Sequence, residues 1–84
     1  MKIPVTVYTL PNCVQCDSTK RLMDKLGIDY TTINLADAPD QAAIFRDQGH
    51  LTAPIVTTDV KIWSGFRYTK IRSLADHIHS LERN

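Results

Sequence analysis

Short runs dense in β-branched and aromatic side chains alternate along this chain with longer stretches in which apolar residues recur every three or four positions. Residues 3–9, Ile-Pro-Val-Thr-Val-Tyr-Thr, are the first such run and read as a buried or half-buried strand that stops at Leu10-Pro11-Asn12. From Cys13 to Leu26 the period changes. Thr19, Leu22, Met23 and Leu26 fall on one helical stripe, and Asp17, Lys20, Arg21, Asp24 and Lys25 line the other face. Gly27 is placed to close this helix. Asp17 and Arg21, four residues apart, are expected to form a solvated surface pair worth a few tenths of a kcal/mol.

Residues 29–35 return to the strand pattern, and strand, helix, strand in that order implies a parallel pair joined by a right-handed crossover. A second, weakly amphipathic helix is expected next, with Asp37 as its cap, Pro39 near its start, Ala42, Ala43 and Phe45 in its body and Gly49 at its end. It is expected on the sheet face opposite the first helix. Residues 54–58 read as a third strand opened by Pro54, where no ladder N–H is needed. Asp59 marks the turn, and residues 60–64 alternate as an antiparallel edge strand on which Lys61 guards against edge pairing. Gly65 breaks it. The last segment carries the clearest helical stripe, Ile71, Leu74, Ala75, Ile78 and Leu81, behind Thr69 as expected N-cap. The pattern is α/β, a single domain over residues 1–84 without linker, repeat or low-complexity stretch.

Composition narrows what such a domain does. A net charge of +1 over 84 residues, with no cluster of lysine and arginine and no aromatic ladder, points away from nucleic acid and membrane surfaces and toward protein partners. No stretch is apolar for long enough to span a bilayer. The N-terminal residues read as strand, not as a signal peptide, so a reducing cytoplasm is expected.

The chemistry concentrates in Cys13-Val14-Gln15-Cys16, the only two cysteines of the chain, set where the first strand gives way to the first helix. Two intervening residues bring both sulfurs onto one helical turn, within disulfide reach if Cys13 is the N-cap. The free N–H groups and positive dipole end of the helix favour a thiolate there, so Cys13 is the candidate nucleophile and Cys16 the resolving partner. Two plainer readings compete. A CxxC pair can be half of a zinc site, but the other soft ligands are His50, His77 and His79, and none forms a second pair with ligand spacing. A purely structural disulfide gains little from so short a loop. Redox chemistry is the stronger reading.

The order of elements, together with Val7-Tyr8-Thr9 before Cys13-Val14-Gln15-Cys16, then Ala53-Pro54-Ile55-Val56 and Trp63-Ser64-Gly65-Phe66-Arg67, resembles the NrdH-type redoxins over nearly the whole chain. These are glutaredoxin-like proteins with thioredoxin-like activity. The resemblance implies a minimal thioredoxin fold: a four-stranded mixed sheet of order 2-1-3-4 flanked by three helices. It implies a monomeric dithiol electron carrier, reduced by thioredoxin reductase, that serves the large subunit of class Ib ribonucleotide reductase with no cofactor beyond the Cys13–Cys16 disulfide. It also implies an exposed attacking Cys13, a buried Cys16 and a cis-proline at Pro54 facing them. Val14, Gln15, Ala53 and Pro54 would meet substrate, and Trp63, Ser64, Gly65, Phe66 and Arg67 would form a docking surface beside the site. An aromatic on an edge strand is as readily core as docking surface, and for Trp63 both readings stay open. The family usually follows WSGFR with proline and an acidic residue, where this chain has Tyr68 and Thr69. A glutathione-dependent glutaredoxin is the alternative activity, although the Gly-Gly turn and acidic pair usual in glutathione sites are missing from residues 64–69. A zinc-binding or adaptor module is the alternative from another class.

Overall fold

The computed structural model describes residues 3–82. Strand β1 (Thr6–Thr9) leads through a turn into helix α1 (Val14–Lys25). Asn12 makes that turn in the left-handed region, at φ 59°, a conformation asparagine tolerates better than most residues. At the other end of α1 the Gly27 and Ile28 N–H groups donate to the carbonyls of Asp24 and Met23, at 3.2 and 2.9 Å. This is a Schellman closure, and Ile28 joins Met23 in the core behind it.

Strand β2 (Thr31–Asn34) runs parallel to β1, with Thr6 opposite Thr31 and Thr9 opposite Asn34. The Asn34 side chain then accepts the Ala36 N–H at 2.9 Å and winds Leu35–Asp37 into a 3-10 turn. Asp37 is therefore inside that turn and does not cap the next helix. Ala38 holds the N-cap position of α2 (Pro39–Asp47) without a side-chain bond, and Pro39 follows where no N–H donor is required. Gly49 and His50 close α2 as Gly27 and Ile28 close α1, donating to Arg46 and Phe45.

Strand β3 (Ile55–Thr57) lies antiparallel on the other side of β1, and β4 (Ile62–Ser64) antiparallel to β3, so the sheet order is β2-β1-β3-β4. The hairpin turn spans Thr58 to Lys61: the Thr58 N–H donates to the Lys61 carbonyl at 2.8 Å, and Thr58 Oγ1 accepts from the Val60 and Lys61 N–H groups. Thr58, expected to end the third strand, and Val60 and Lys61, expected in the edge strand, are used in the turn, so Lys61 flanks the edge strand instead of standing in it. Helix α3 (Tyr68–Glu82) begins one residue before Thr69. The Arg67 carbonyl accepts the Ile71 N–H at 3.0 Å, so position 67 starts the helix and Thr69 lies within its first turn.

The sheet is covered on both faces. Val5, Val7, Val56 and Trp63 pack with Met23, Ile28, Ile71, Leu74, Ala75 and Ile78 on the side of α1 and α3. On the other side α2 seals a smaller cluster of Leu35, Phe45 and Ile55, where the Tyr8 and Phe45 rings meet edge to face at 4.8 Å. Leu81, last of the α3 stripe, stays exposed. On the surface of α1, Asp17 pairs with Lys20 at 3.7 Å, one residue short of the Arg21 expected as its partner. Among the described residues no helix is long and apolar enough to cross a membrane.

Candidate redox site at the head of the first helix

Cys13 is the N-cap of α1. Its backbone is extended, its carbonyl accepts the Asp17 N–H at 3.1 Å, and its Sγ accepts the Cys16 N–H at 3.1 Å. An N-cap side chain normally meets one of the free N–H groups of the first turn, and here a sulfur fills that role. Cys13 and Cys16 are joined as a disulfide with their Cα atoms 5.2 Å apart, inside the usual range for such a bond. The two sulfurs differ in access. Cys13 is half-buried, whereas Cys16 is 2% exposed.

Two loops close around the pair. The Ala53–Pro54 peptide bond is cis, as the resemblance implied, and the Ala53 carbonyl oxygen lies 3.7 Å from Cys13 Sγ. Pro54 is fully buried, and its carbonyl accepts the Gly65 N–H at 2.8 Å. Gln15 Oε1 reaches the same loop and accepts the Phe66 N–H at 3.0 Å, while Arg67 Nε donates to the Ser64 carbonyl at 3.2 Å. The motif, the proline loop and the loop before α3 thus form one connected rim. Ser64 and Gly65 are half-buried in it; Val14, Gln15, Phe66 and Arg67 face solvent.

Trp63 is a correction to the expected docking surface. It pairs across the hairpin with the buried Val56, on the inner face of the sheet, and is 4% exposed. Of the two aromatics around Gly65, Phe66 alone is offered to a partner, at 38% exposure. The sequence reading did not foresee the Gln15 to Phe66 bond; only the place of Gln15 inside the motif hinted at it. Nor did it foresee Leu51, exposed just before the proline loop; Thr19, on the expected core stripe, is buried one turn below Cys16, but that its hydroxyl lacks a partner was not foreseen. The histidines lie apart from the sulfurs in role: His50 packs edge-on against Phe45 at 6.4 Å, and His77 and His79 are exposed on α3. Among the described residues no three His, Cys, Asp or Glu side chains gather into a metal-binding set.

Residues 5–63 match the glutaredoxin family. Over 76 residues the chain is 40% identical to the glutaredoxin-like protein NrdH of Salmonella typhimurium, spanning 90% of this chain and 94% of that protein. The chain belongs to the glutaredoxin family, in its NrdH branch. This redoxin is also 34% identical over 71 residues to the NrdH protein of Lactococcus lactis, covering 84% of the one and 99% of the other. Its fold matches the NrdH-redoxin of Escherichia coli with a TM-score of 0.81 and 41% identity, over 84% of this chain and 93% of that one. A buckwheat glutaredoxin in complex with glutathione is a more distant neighbour, at a TM-score of 0.70 and 27% identity over 92% of this chain and 80% of that one. The redoxin is a thiol-disulfide oxidoreductase, and its rim gives that chemistry one accessible sulfur and one enclosed sulfur.

Proposed function

We propose that this redoxin is a protein-to-protein electron carrier, recharged by thioredoxin reductase and discharged into a class Ib ribonucleotide reductase. Reduced Cys13 attacks a partner disulfide as the thiolate, and one partner sulfur leaves and takes up a proton. Cys16 then attacks Cys13 Sγ, the bond to the partner breaks, and the second partner sulfur leaves reduced. The electron pair now resides with the partner, and the redoxin is left with the Cys13–Cys16 disulfide. Recharging runs the same steps in reverse, beginning with a reductase thiolate at the accessible Cys13. The disulfide itself carries the electrons, so the reading calls for no metal or organic cofactor, and a cytoplasmic monomer fits it.

The observation that carries this reading is the likeness to the Escherichia coli NrdH-redoxin, a protein whose described activity profile is thioredoxin-like. Local features support it. Ala53 precedes β3 and stands outside its ladder beside Cys13, where an incoming peptide can add as a short strand. Phe66 stands exposed on the same rim, and Lys61, Arg67 and Lys70 surround it and Tyr68 without an intervening carboxylate. Helix α3 has no acidic residue in its first turn, where a glutathione site would need one for the γ-glutamyl amine.

Insulin reduction followed with two electron sources tests the proposal. Thioredoxin reductase with NADPH should drive turnover, and glutathione with its own reductase should drive it poorly. Equal or faster turnover with millimolar glutathione would establish the glutaredoxin activity instead. Tight stoichiometric zinc with no turnover from either source would establish the binding module.

A further inference from the structure

Thr19 follows Cys16 by three residues on α1, a spacing that sets two side chains on one helix face with Cβ atoms about 5–6 Å apart. Side chains on a helix lean toward its N-terminus, so the Thr19 side chain lies over the turn that holds Cys16, within reach of a χ1 rotation of its hydroxyl. Both residues are enclosed, Thr19 at 0% exposure, and Thr19 is the buried polar side chain of the described core. Its Oγ1 has no hydrogen-bond partner. A helical threonine ordinarily returns its hydroxyl to the carbonyl one turn back; this one does not.

An unpaired buried hydroxyl costs stability, and the structure in which it is unpaired holds the oxidised pair. In that state Cys16 Sγ is neutral and bonded to Cys13. Reduction breaks the bond and leaves on Cys16 either a thiol or a thiolate, both better acceptors than a disulfide sulfur. Among the described residues no carboxylate, lysine or histidine is buried with it to stabilise the charge.

We propose that Thr19 is a positioning residue for the resolving sulfur: its hydroxyl donates to Cys16 Sγ once the disulfide is reduced and lacks a partner only in the oxidised state. During resolution the Cys16 thiolate attacks Cys13 Sγ, the bond from Cys13 to the partner sulfur breaks, and the electron pair leaves on that sulfur, which takes a proton from water. Thr19 keeps its own proton throughout. The inference rests on the dithiol exchange and not on who the partners are, so it holds or fails independently of the reductase.

Thr19→Val keeps the shape and removes the hydroxyl. It is expected to stabilise the oxidised protein against urea, because the unpaired group is gone, and to disfavour the reduced one. In a dithiothreitol redox buffer the equilibrium should move about tenfold toward the disulfide, which for a two-electron couple is about 30 mV toward more negative potential. Release of thionitrobenzoate from the Cys13 mixed disulfide, a step Cys16 performs, should slow by a similar factor. Thr19→Ser should restore both. The unmutated protein supplies a further readout: a slowly exchanging Thr19 hydroxyl proton in the NMR spectrum of the reduced form and a fast one in the oxidised form. An unchanged potential in Thr19→Val, a serine variant that behaves like the valine one, or a hydroxyl proton that exchanges equally in both states would each overturn the proposal.

Discussion

Gln15 Oε1 accepts the backbone N–H of Phe66 at 3.0 Å, tying the middle of the dithiol motif to a loop 51 residues away. The bond crosses from the first helix to the entry of the last, and Gly65 makes it possible. Gly65 has φ +82°, and a Cβ at that position would come within 3.2 Å of the same Gln15 oxygen. A side chain there meets both backbone strain and the group that positions Phe66.

Gly65→Ala should therefore cost about 1–3 kcal/mol, the scale of a non-glycine residue forced into a left-handed conformation with a close contact added. In a Gln15→Ala background the contact is absent, so the same substitution should cost less. Urea denaturation of the four proteins in the double-mutant cycle measures the difference. Strict additivity would mean that the Gln15 oxygen places no constraint on residue 65.

Trp63 and Phe66 should separate stability from docking. Trp63→Ala opens a cavity between β4 and α3 and should cost about 3–5 kcal/mol, enough to threaten the fold of so small a domain. Phe66→Ala should leave the urea midpoint nearly unchanged and raise the KM for thioredoxin reductase, since truncating an interface anchor commonly costs on the order of 2 kcal/mol. Steady-state NADPH oxidation beside circular dichroism reads both. A folded Phe66→Ala protein reduced at the unaltered rate would remove Phe66 from the docking surface.

Cys16→Ser should accumulate a covalent complex with an oxidised partner protein, and Cys13→Ser should not. The expectation follows from access: Cys13 is the half-buried N-cap, and Cys16 lies beneath it in the first turn. Non-reducing gel electrophoresis after mixing with the partner decides it, and trapping through Cys16 would reverse the assigned roles.

Alkaline pH offers a test away from the site. Tyr30 donates to Asp24 Oδ1 at 2.9 Å, and lost hydration, that hydrogen bond and the Asp24 charge push its phenol from 10.0 up to about 12. The folded protein keeps this proton where the unfolded chain releases it, so the stabilisation is fully present below about pH 10 and is lost as pH rises from about 10 to about 12. Oxidised Tyr30→Phe should lose less stability across that window in urea titrations at stepped pH. Parallel slopes for the two proteins would assign the alkaline loss to other groups.

The sequence carried the positions whose physics is local. Gly27 and Gly49 were readable as helix closures because a positive φ leaves few alternatives, and Cys13 as N-cap because the strand ends so close before it. The caps at Asp37 and Thr69 were misplaced because a neighbour acts first: the Asn34 side chain starts the turn that absorbs Asp37, and the Arg67 carbonyl opens α3 before Thr69. Trp63 depended on register. The four-residue turn from Thr58 to Lys61 pairs Trp63 with the buried Val56 and leaves Ile62 to the outside, and neither strand's own pattern reveals that turn. The Gln15 to Phe66 bond spans too much of the chain for spacing to disclose it.

The unequal cores on the two faces of the sheet have a dynamic consequence. Among the described residues, ten buried ones hold α1 and α3 to one face, and three hold α2 to the other. Local opening should follow that imbalance: amide hydrogens of α2 should exchange through partial unfolding, while those of α1 wait for the whole domain to open. Cys16 is anchored in the helix that opens last, whereas Ala53 packs against the cluster that loosens first. One side of the sulfur-exchange cleft is thereby held fixed while the other can yield to partner chains of different shape.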